Sequence, residues 1–341
     1  MLFLDAPLPT SWIVATLILG AIGLLIATLL FRAWRGHRGR DDARLQAQQA
    51  IDSHDLDLDA RLGELKTIHI SSAANRLPAS IEIAFRQTGH GPDLLCLHGI
   101  GASMIIYRRL APLVSGEFRV TCLDFPGFGK SEKPRELNYD LDEQAAHLIY
   151  AIEALGLKQP LVVASSMGGA ISMTAAVTSP DLFRGIVALA PATDPTRIPT
   201  SLLPMARFGE ALHRLNPEKT RYAIVKTVVA QVIARRELIT PGLVALYFEP
   251  FRVSELASAA FLKAFRLLAD KRLPVLFREL KTPLLIIRGL RDRLVKQSSC
   301  EDLHRIVADS ALITHPTAGH HSMEDEPEFI AEEIRKFAAK L

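Results

Sequence analysis

Hydrophobic and polar positions divide the chain into three stretches. From Ser11 to Phe31 no residue is charged, a run of 21 that matches the length an α-helix needs to cross the hydrocarbon core of a bilayer. Arg32, Arg35, Arg38 and Arg40 follow at once, which tells against a buried helix. The start holds Asp5 and no Lys or Arg, which tells against a cleaved signal peptide. The pattern therefore predicts a short tail over 1–10 and a transmembrane helix over 11–31, with the arginines keeping the following side in the cytoplasm. Residues 32–66 are polar, with few aromatics, and predict a helical or partly disordered linker.

From residue 67 onward, globular periods set in. Thr67–Ser72 and Ser80–Arg86 alternate, with Asn75 and Pro78 between them, and predict a β-hairpin. Short apolar runs at Asp93–Leu97, Phe118–Asp124, Leu161–Ser165, Gly185–Ala190, Pro283–Arg288 and 311–315 predict buried strands. Between them, Met104–Val114, a segment capped by Asp140 or Asp142 and running through Leu155, and Ala170–Val177 predict helices. Strands alternating with helices at this spacing give an α/β chain with a mostly parallel, doubly wound sheet. The roughly ninety residues between the fourth and fifth of these runs carry no strand signal. They predict a helical cap over about 193–281, broken at Pro199, Pro204, Pro217, Pro241, Pro250 and Pro274.

Composition changes this picture little. A hydrophobic share of 49% with 23% charged residues is globular, and a net charge of +3 gives no reason to expect nucleic acid as a partner. Cys96, Cys122 and Cys300 match no metal spacing; two fall in predicted strands, so they read as buried free thiols of a reducing compartment. From Arg197 to Lys281 there are fifteen Lys/Arg against seven Asp/Glu, interleaved with Leu202, Leu203, Met205, Phe208, Leu212, Phe248, Phe251, Phe261 and Phe265. This is either a solvated basic face over an ordinary cap core or a cap that leans on an anionic leaflet and admits lipid.

The candidate chemistry sits at strand ends. Leu161–Ser165 runs into Ser166, Met167, Gly168 and Gly169, a strand–turn–helix in which the residues two before and two after the serine must be small. Ala164 and Gly168 meet that demand, and the turn would lift Ser166 Oγ above the sheet. A serine hydroxyl near neutral pH needs a base, and the base needs an orienting acid. Asp292 follows the 283–288 strand in Gly289-Leu290-Arg291-Asp292, and His320 follows the 311–315 strand in Ala318-Gly319-His320-His321. His321 rivals His320 as the base; His320 is preferred because it directly follows Gly319. Two backbone N–H groups would hold the developing oxyanion, those of Met167 and of Ile100, just past His98-Gly99. His98 is assigned to holding that loop in shape.

Across 67–341 the chain resembles the α/β-hydrolase superfamily. The resemblance is carried by His98-Gly99, D-x-P-G-x-G-x-S at 124–131, A-S-S-M-G-G at 164–169, G-x-x-D at 289–292, Gly319-His320, and Asp325 with Pro327. It implies an α/β-hydrolase fold with a mostly parallel eight-stranded sheet, helices on both faces and a helical cap insertion. It also implies Ser166 as nucleophile, Asp292 as orienting acid, His320 as general base, and Ile100 and Met167 as the oxyanion hole, with no metal or organic cofactor. Ala164 replaces the usual first glycine of the elbow; serine rather than aspartate at 166 argues against epoxide hydrolase or haloalkane dehalogenase chemistry. With its anchor and cap the chain looks like the membrane-bound monoacylglycerol lipase branch and related bacterial esterases and lipases. The expectation is a membrane-anchored serine hydrolase of carboxylic, lipid-derived esters. Its rivals are a carbon–carbon bond hydrolase, a cofactor-free haloperoxidase-like enzyme, and a non-catalytic membrane-tethered binding module.

Overall fold

A computed structural model describes residues 57, 60–71, 80–193, 217–268 and 270–341. The predicted tail (1–10), the apolar run 11–31, most of the linker 32–66 and the 194–216 part of the cap lie outside the described residues. Among the described residues no helix is long and apolar enough to cross a membrane.

Eight strands form one sheet: β1 (Leu65–Ile70), β2 (Ile81–Thr88), β3 (Asp93–Leu97), β4 (Arg119–Leu123), β5 (Leu161–Ser165), β6 (Gly185–Leu189), β7 (Leu284–Gly289) and β8 (Ser310–His315). Their order is β1-β2-β4-β3-β5-β6-β7-β8. The expected hairpin is present, with Ile70 opposite Ile81. β2 runs antiparallel to both β1 and β4, and every pairing from β4 to β8 is parallel.

The central strands are apolar throughout because both faces are covered. Alternate residues serve alternate sides: Leu95, Leu97, Val162 and Ala164 enter one core, while Leu94, Cys96, Leu161 and Val163 enter the other. Helices α1 (Leu141–Ala154) and α2 (Met167–Thr178) close the first core. The second is closed by cap helices α3 (Pro217–Val232) and α4 (Pro241–Val253) together with the C-terminal helix (Pro327–Ala338). A third cap helix, α5 (Glu255–Leu268), sends Ala260, Ala264 and Leu267 into the first core, as α6 (Gln297–Ile306) does Cys300 and Leu303. The C-terminal helix is α7. Asp140 caps α1, its carboxylate accepting from the Glu143 N–H. The three cysteines are buried and free, Cys96 lying opposite Cys122 across β3 and β4.

Two expectations fail locally. Met104–Val114 is not one helix but a 3-10 turn (Met104–Tyr107) and one turn of α-helix (Ala111–Val114). Pro112 lacks the N–H a continuous helix needs, and the Tyr107 hydroxyl reaches down to the carbonyls of Leu97 and Val163. Pro250, expected as a break, lies inside α4, within four residues of its end, so the missing N–H costs one bond of a terminating helix.

His147 on α1 is fully buried, and among the described residues neither ring nitrogen has a hydrogen-bond partner. Burial pulls its pKa from 6.5 to about 4. The folded ring is therefore neutral where the unfolded ring protonates, so its contribution to stability is lost as pH falls from 6.5 through about 4. His147→Met is expected to remove roughly 3 kcal/mol of the stability lost between pH 7 and pH 4, read by urea unfolding at each pH. An unchanged acid limb would contradict this.

Candidate active site

Ser166 sits between β5 and α2 with φ 51° and ψ −114°, a left-handed conformation that a non-glycine residue holds only under constraint from its surroundings. The constraint is visible on both sides. A Cβ on Gly168 would lie 2.6 Å from the His98 carbonyl and 2.8 Å from that of Leu97, so strand β3 and the start of α2 are in near contact. Ala164, two residues before the serine, is fully buried opposite Leu97, and its methyl is accommodated there. Gly168→Ala is expected to cost about 1–3 kcal/mol, read as a lower urea midpoint, because backbone and not a flexible side chain would have to move. A wild-type midpoint would show that the approach of strand and helix is loose.

Asp292 and His320 come together as the strand-end turns predict. His320 Nδ1 lies 2.9 Å from Asp292 Oδ2, with both residues buried. Asp292 Oδ1 accepts from the N–H groups of Leu294 (2.7 Å) and Val295 (3.0 Å). Burial pushes the Asp292 carboxyl upward, but His320 and these two amides outweigh it and hold its pKa below the ordinary 3.8. An ionised carboxylate accepts from Nδ1–H, which leaves Nε2 as the basic edge of the His320 ring. The glycine of G-x-x-D allows the two turns to meet: a Cβ on Gly289 would lie 2.0 Å from the Ala318 carbonyl. Leu290 N–H donates to His315 and Arg291 N–H to Ala318.

Asp325 explains the acidic–x–Pro pattern after the histidine. Its carboxylate accepts from Gly319 N–H (2.8 Å) and from the N–H groups of Ala234 and Arg235 at the end of α3. The same side chain thus fixes the histidine turn and ties it to the cap. His321 is engaged elsewhere through Nδ1, which lies 2.9 Å from the Tyr247 hydroxyl of α4, and burial holds its pKa well below the ordinary value. Tyr247 also donates to Glu324 Oε1 at 3.4 Å, and Glu324 pairs with Arg108, while Arg109 donates to the Glu324 carbonyl. Sequence spacing gives no signal for this buried network, which joins residues over two hundred positions apart.

His98 holds its loop. Its Nδ1–H donates to the Gly99 carbonyl at 2.8 Å, and its Nε2 accepts from Phe125 N–H at 3.1 Å. Burial lowers its pKa, which favours this neutral tautomer. Asp124 in the D-x-P-G-x-G-x-S stretch is structural too, taking the N–H groups of Met104 (2.6 Å) and Lys130 (2.7 Å). A Cβ on Gly129, at φ +50°, would overlap its carboxylate at 1.9 Å.

Ser166, His320, His321 and Ile100 line one cavity of about 240 Å³, together with Tyr247 and Phe261 of the cap. Ser165 instead is wholly buried, and its hydroxyl has no partner among the described residues. Ile100 follows Gly99, which packs against Ser166: a Cβ there would lie 3.1 Å from Ser166 Cβ. Met167 opens α2, so its N–H is one of those a helix leaves without an intrahelical acceptor. Met167 thus adjoins the serine in sequence, and Ile100 adjoins it through Gly99. A larger hollow of about 430 Å³, between β8 and α7, contains none of the predicted site residues. Among the described residues no group of three or more His, Cys, Asp or Glu is placed to hold a metal ion.

The fold has known relatives. A family described as alpha/beta hydrolase fold matches residues 92–327. The 2-(acetamidomethylene)succinate hydrolase of Mesorhizobium japonicum is 29% identical over 75% of this chain and 91% of its own. Haloalkane dehalogenase 2 of Mycobacterium tuberculosis is 28% identical over 74% and 90%. The solved structure of a membrane phospholipase A, described as a novel bacterial virulence factor, has a TM-score of 0.69 at 23% identity, covering 94% of this chain and 98% of that one. At that identity the last likeness is one of fold.

Proposed function

This chain belongs to the alpha/beta hydrolase fold family and is a hydrolase of that fold, and from that premise we propose that it cleaves carboxylic esters through an acyl-enzyme on Ser166. The observation that carries the reading is the buried Asp292–His320 hydrogen bond of 2.9 Å, opening with the strained Ser166 onto one cavity. With Nδ1–H engaged by Asp292, His320 Nε2 takes the Ser166 proton as Oγ attacks the ester carbonyl. The N–H groups of Ile100 and Met167 receive the oxyanion. The imidazolium formed then protonates the leaving alcohol. In the second half, His320 Nε2 takes a proton from water, hydroxide adds to the acyl carbon, and Ser166 Oγ leaves with that proton. A serine at the elbow, where carbon–halogen cleavage calls for a carboxylate nucleophile, favours acyl transfer over dehalogenation.

The proposal places the enzyme at a membrane, with Ser11–Phe31 as a single anchor and the catalytic domain on the cytoplasmic side. In support stand 21 consecutive uncharged residues, the four arginines directly behind them, and the membrane phospholipase whose fold this chain shares. The apolar cavity walls from α5, Phe261, Phe265 and Leu268, suit an acyl chain.

A series of p-nitrophenyl esters and monoacylglycerols of increasing chain length, assayed in detergent and on anionic liposomes, tests the proposal. Turnover that favours long acyl chains and rises on liposomes is the expected result. Short-chain preference indifferent to lipid would overturn the lipid assignment. Absence of ester turnover would overturn the ester assignment in favour of carbon–carbon hydrolysis on the same residues.

A further inference from the structure

The turn that presents Asp292 is held on every side. Its N–H donates to the Gly289 carbonyl, and its Oδ1 takes the N–H groups of Leu294 and Val295. The Arg288 guanidinium donates to the carbonyls of Asp292 and Val295. A turn so fixed aims more than one side chain. Asp292 goes inward to His320, while the next residue, Arg293, joins Leu294 and Val295 on the cavity wall.

Arg293 is exposed, so its charge is retained at little desolvation cost. Among the described residues lining the cavity it alone carries a permanent charge, and none of them is a carboxylate. The carboxylates around the triad histidine are not part of this lining. Asp292 faces His320 and two amides, Asp325 takes amides of the histidine turn and the cap, and Glu324 pairs with Arg108. His321, on the same cavity, is kept neutral by burial. Arg293 is therefore the one permanently charged side chain that a ligand meets on the described wall of this cavity. Ser299, buried at the start of α6, and Thr193 add hydroxyls to the lining. A guanidinium presents a planar fork of donors that fits a carboxylate or phosphate in a way no neutral group does.

We propose that Arg293 is the anion-recognising residue of this site, and that the ester cleaved bears a carboxylate or phosphate group that pairs with it. The inference rests on the ester-hydrolase reading above and narrows its substrate class. The hydrocarbon part of such a substrate lies along Phe261, Phe265 and Leu268, its ester carbonyl over Ser166, and its anion against Arg293.

The test compares matched pairs differing in the anion. The first pair is p-nitrophenyl hexanoate and mono-p-nitrophenyl adipate; the second is 1-oleoylglycerol and 1-oleoylglycerol 3-phosphate. Binding is measured by calorimetry at pH 7 to the full-length Ser166→Ala protein in detergent, alone and combined with Arg293→Gln or Arg293→Lys. The anionic member of at least one pair is expected to bind more tightly. That advantage should fall about tenfold or more with Arg293→Gln and return in part with Arg293→Lys. The pair that loses its advantage shows whether carboxylate or phosphate is the group read. Anionic and neutral members that bind equally, or an advantage that survives Arg293→Gln in a protein of unchanged thermal midpoint, would overturn the proposal. Turnover by protein carrying Ser166 separates the two claims. Ester cleavage without any Arg293-dependent discrimination sinks the anion site alone. Arg293-dependent binding without ester cleavage sinks the ester reading alone.

Discussion

Ser166→Ala is expected to lower kcat for ester hydrolysis by roughly ten-thousand- to a million-fold while leaving the urea midpoint close to that of the wild type. The loss is large because acyl transfer through the enzyme has no other nucleophile at the elbow. Ser165 is wholly buried beneath the turn, and the Asp292–His320 pair opens onto the cavity that Ser166 lines. What remains would come from the amides of Ile100 and Met167 and from binding alone. The small effect on stability follows from the site itself. Removing one oxygen from a residue held at φ 51° leaves the backbone strain in place and creates no cavity of consequence. Steady-state kinetics with a p-nitrophenyl ester, with protein checked for contaminating hydrolase, measures the loss. Residual activity within about a hundredfold of wild type would move the nucleophile elsewhere.

Asp292→Asn is the second large effect, expected to reduce kcat by about a thousand- to ten-thousand-fold with little change in KM. The carboxylate does two things that an amide does not. It accepts from Nδ1–H and so leaves Nε2 able to take the serine proton, and it stabilises the imidazolium once that proton has moved. An asparagine can turn its NH₂ toward Nδ1 and stabilise the opposite tautomer, in which Nε2–H faces Ser166 and cannot accept. The carboxylate also carries stability. Its folded pKa lies below the unfolded 3.8, so that contribution is complete above this value and disappears as pH falls through the lower, folded pKa. The variant should therefore lose stability at neutral pH and show a shallower loss of stability below pH 3.8, read by unfolding at pH 7 and pH 3. A kcat within tenfold of wild type would remove Asp292 from its assigned role.

Much of the site is legible in the chain because each of its members follows a short apolar run directly. Ser166, Asp292 and His320 are the residues just past β5, β7 and β8, and parallel strands place their following turns at one edge of the sheet. The glycines at 168 and 289 are equally readable, since each marks a close approach of backbone to backbone. Contacts whose partners are far apart in sequence are not readable in this way. The Tyr247 hydroxyl meets His321, and Arg108 meets Glu324, only because the cap and the histidine turn pack on the same core. Asp325 was marked by its acidic–x–Pro setting, yet the amides of Ala234 and Arg235 that it binds belong to the cap. Local reading also fails where two local rules compete. A helical pattern over 104–114 yields to Pro112 and to the reach of Tyr107, whereas Pro250 is tolerated because its helix is already ending. Nothing in the local sequence around Arg293 signals the cavity wall that it joins.

The most direct test of the central claim is to treat the protein with a fluorophosphonate and map the adduct by mass spectrometry. This reagent reacts with an activated serine whatever the natural substrate. One phosphonylated peptide is expected, modified at Ser166, absent from Ser166→Ala and formed far more slowly in Asp292→Asn. Modification of Ser165 or another serine, or no modification of a correctly folded protein, would contradict it, and the last result would make the chain a binding module on a hydrolase fold.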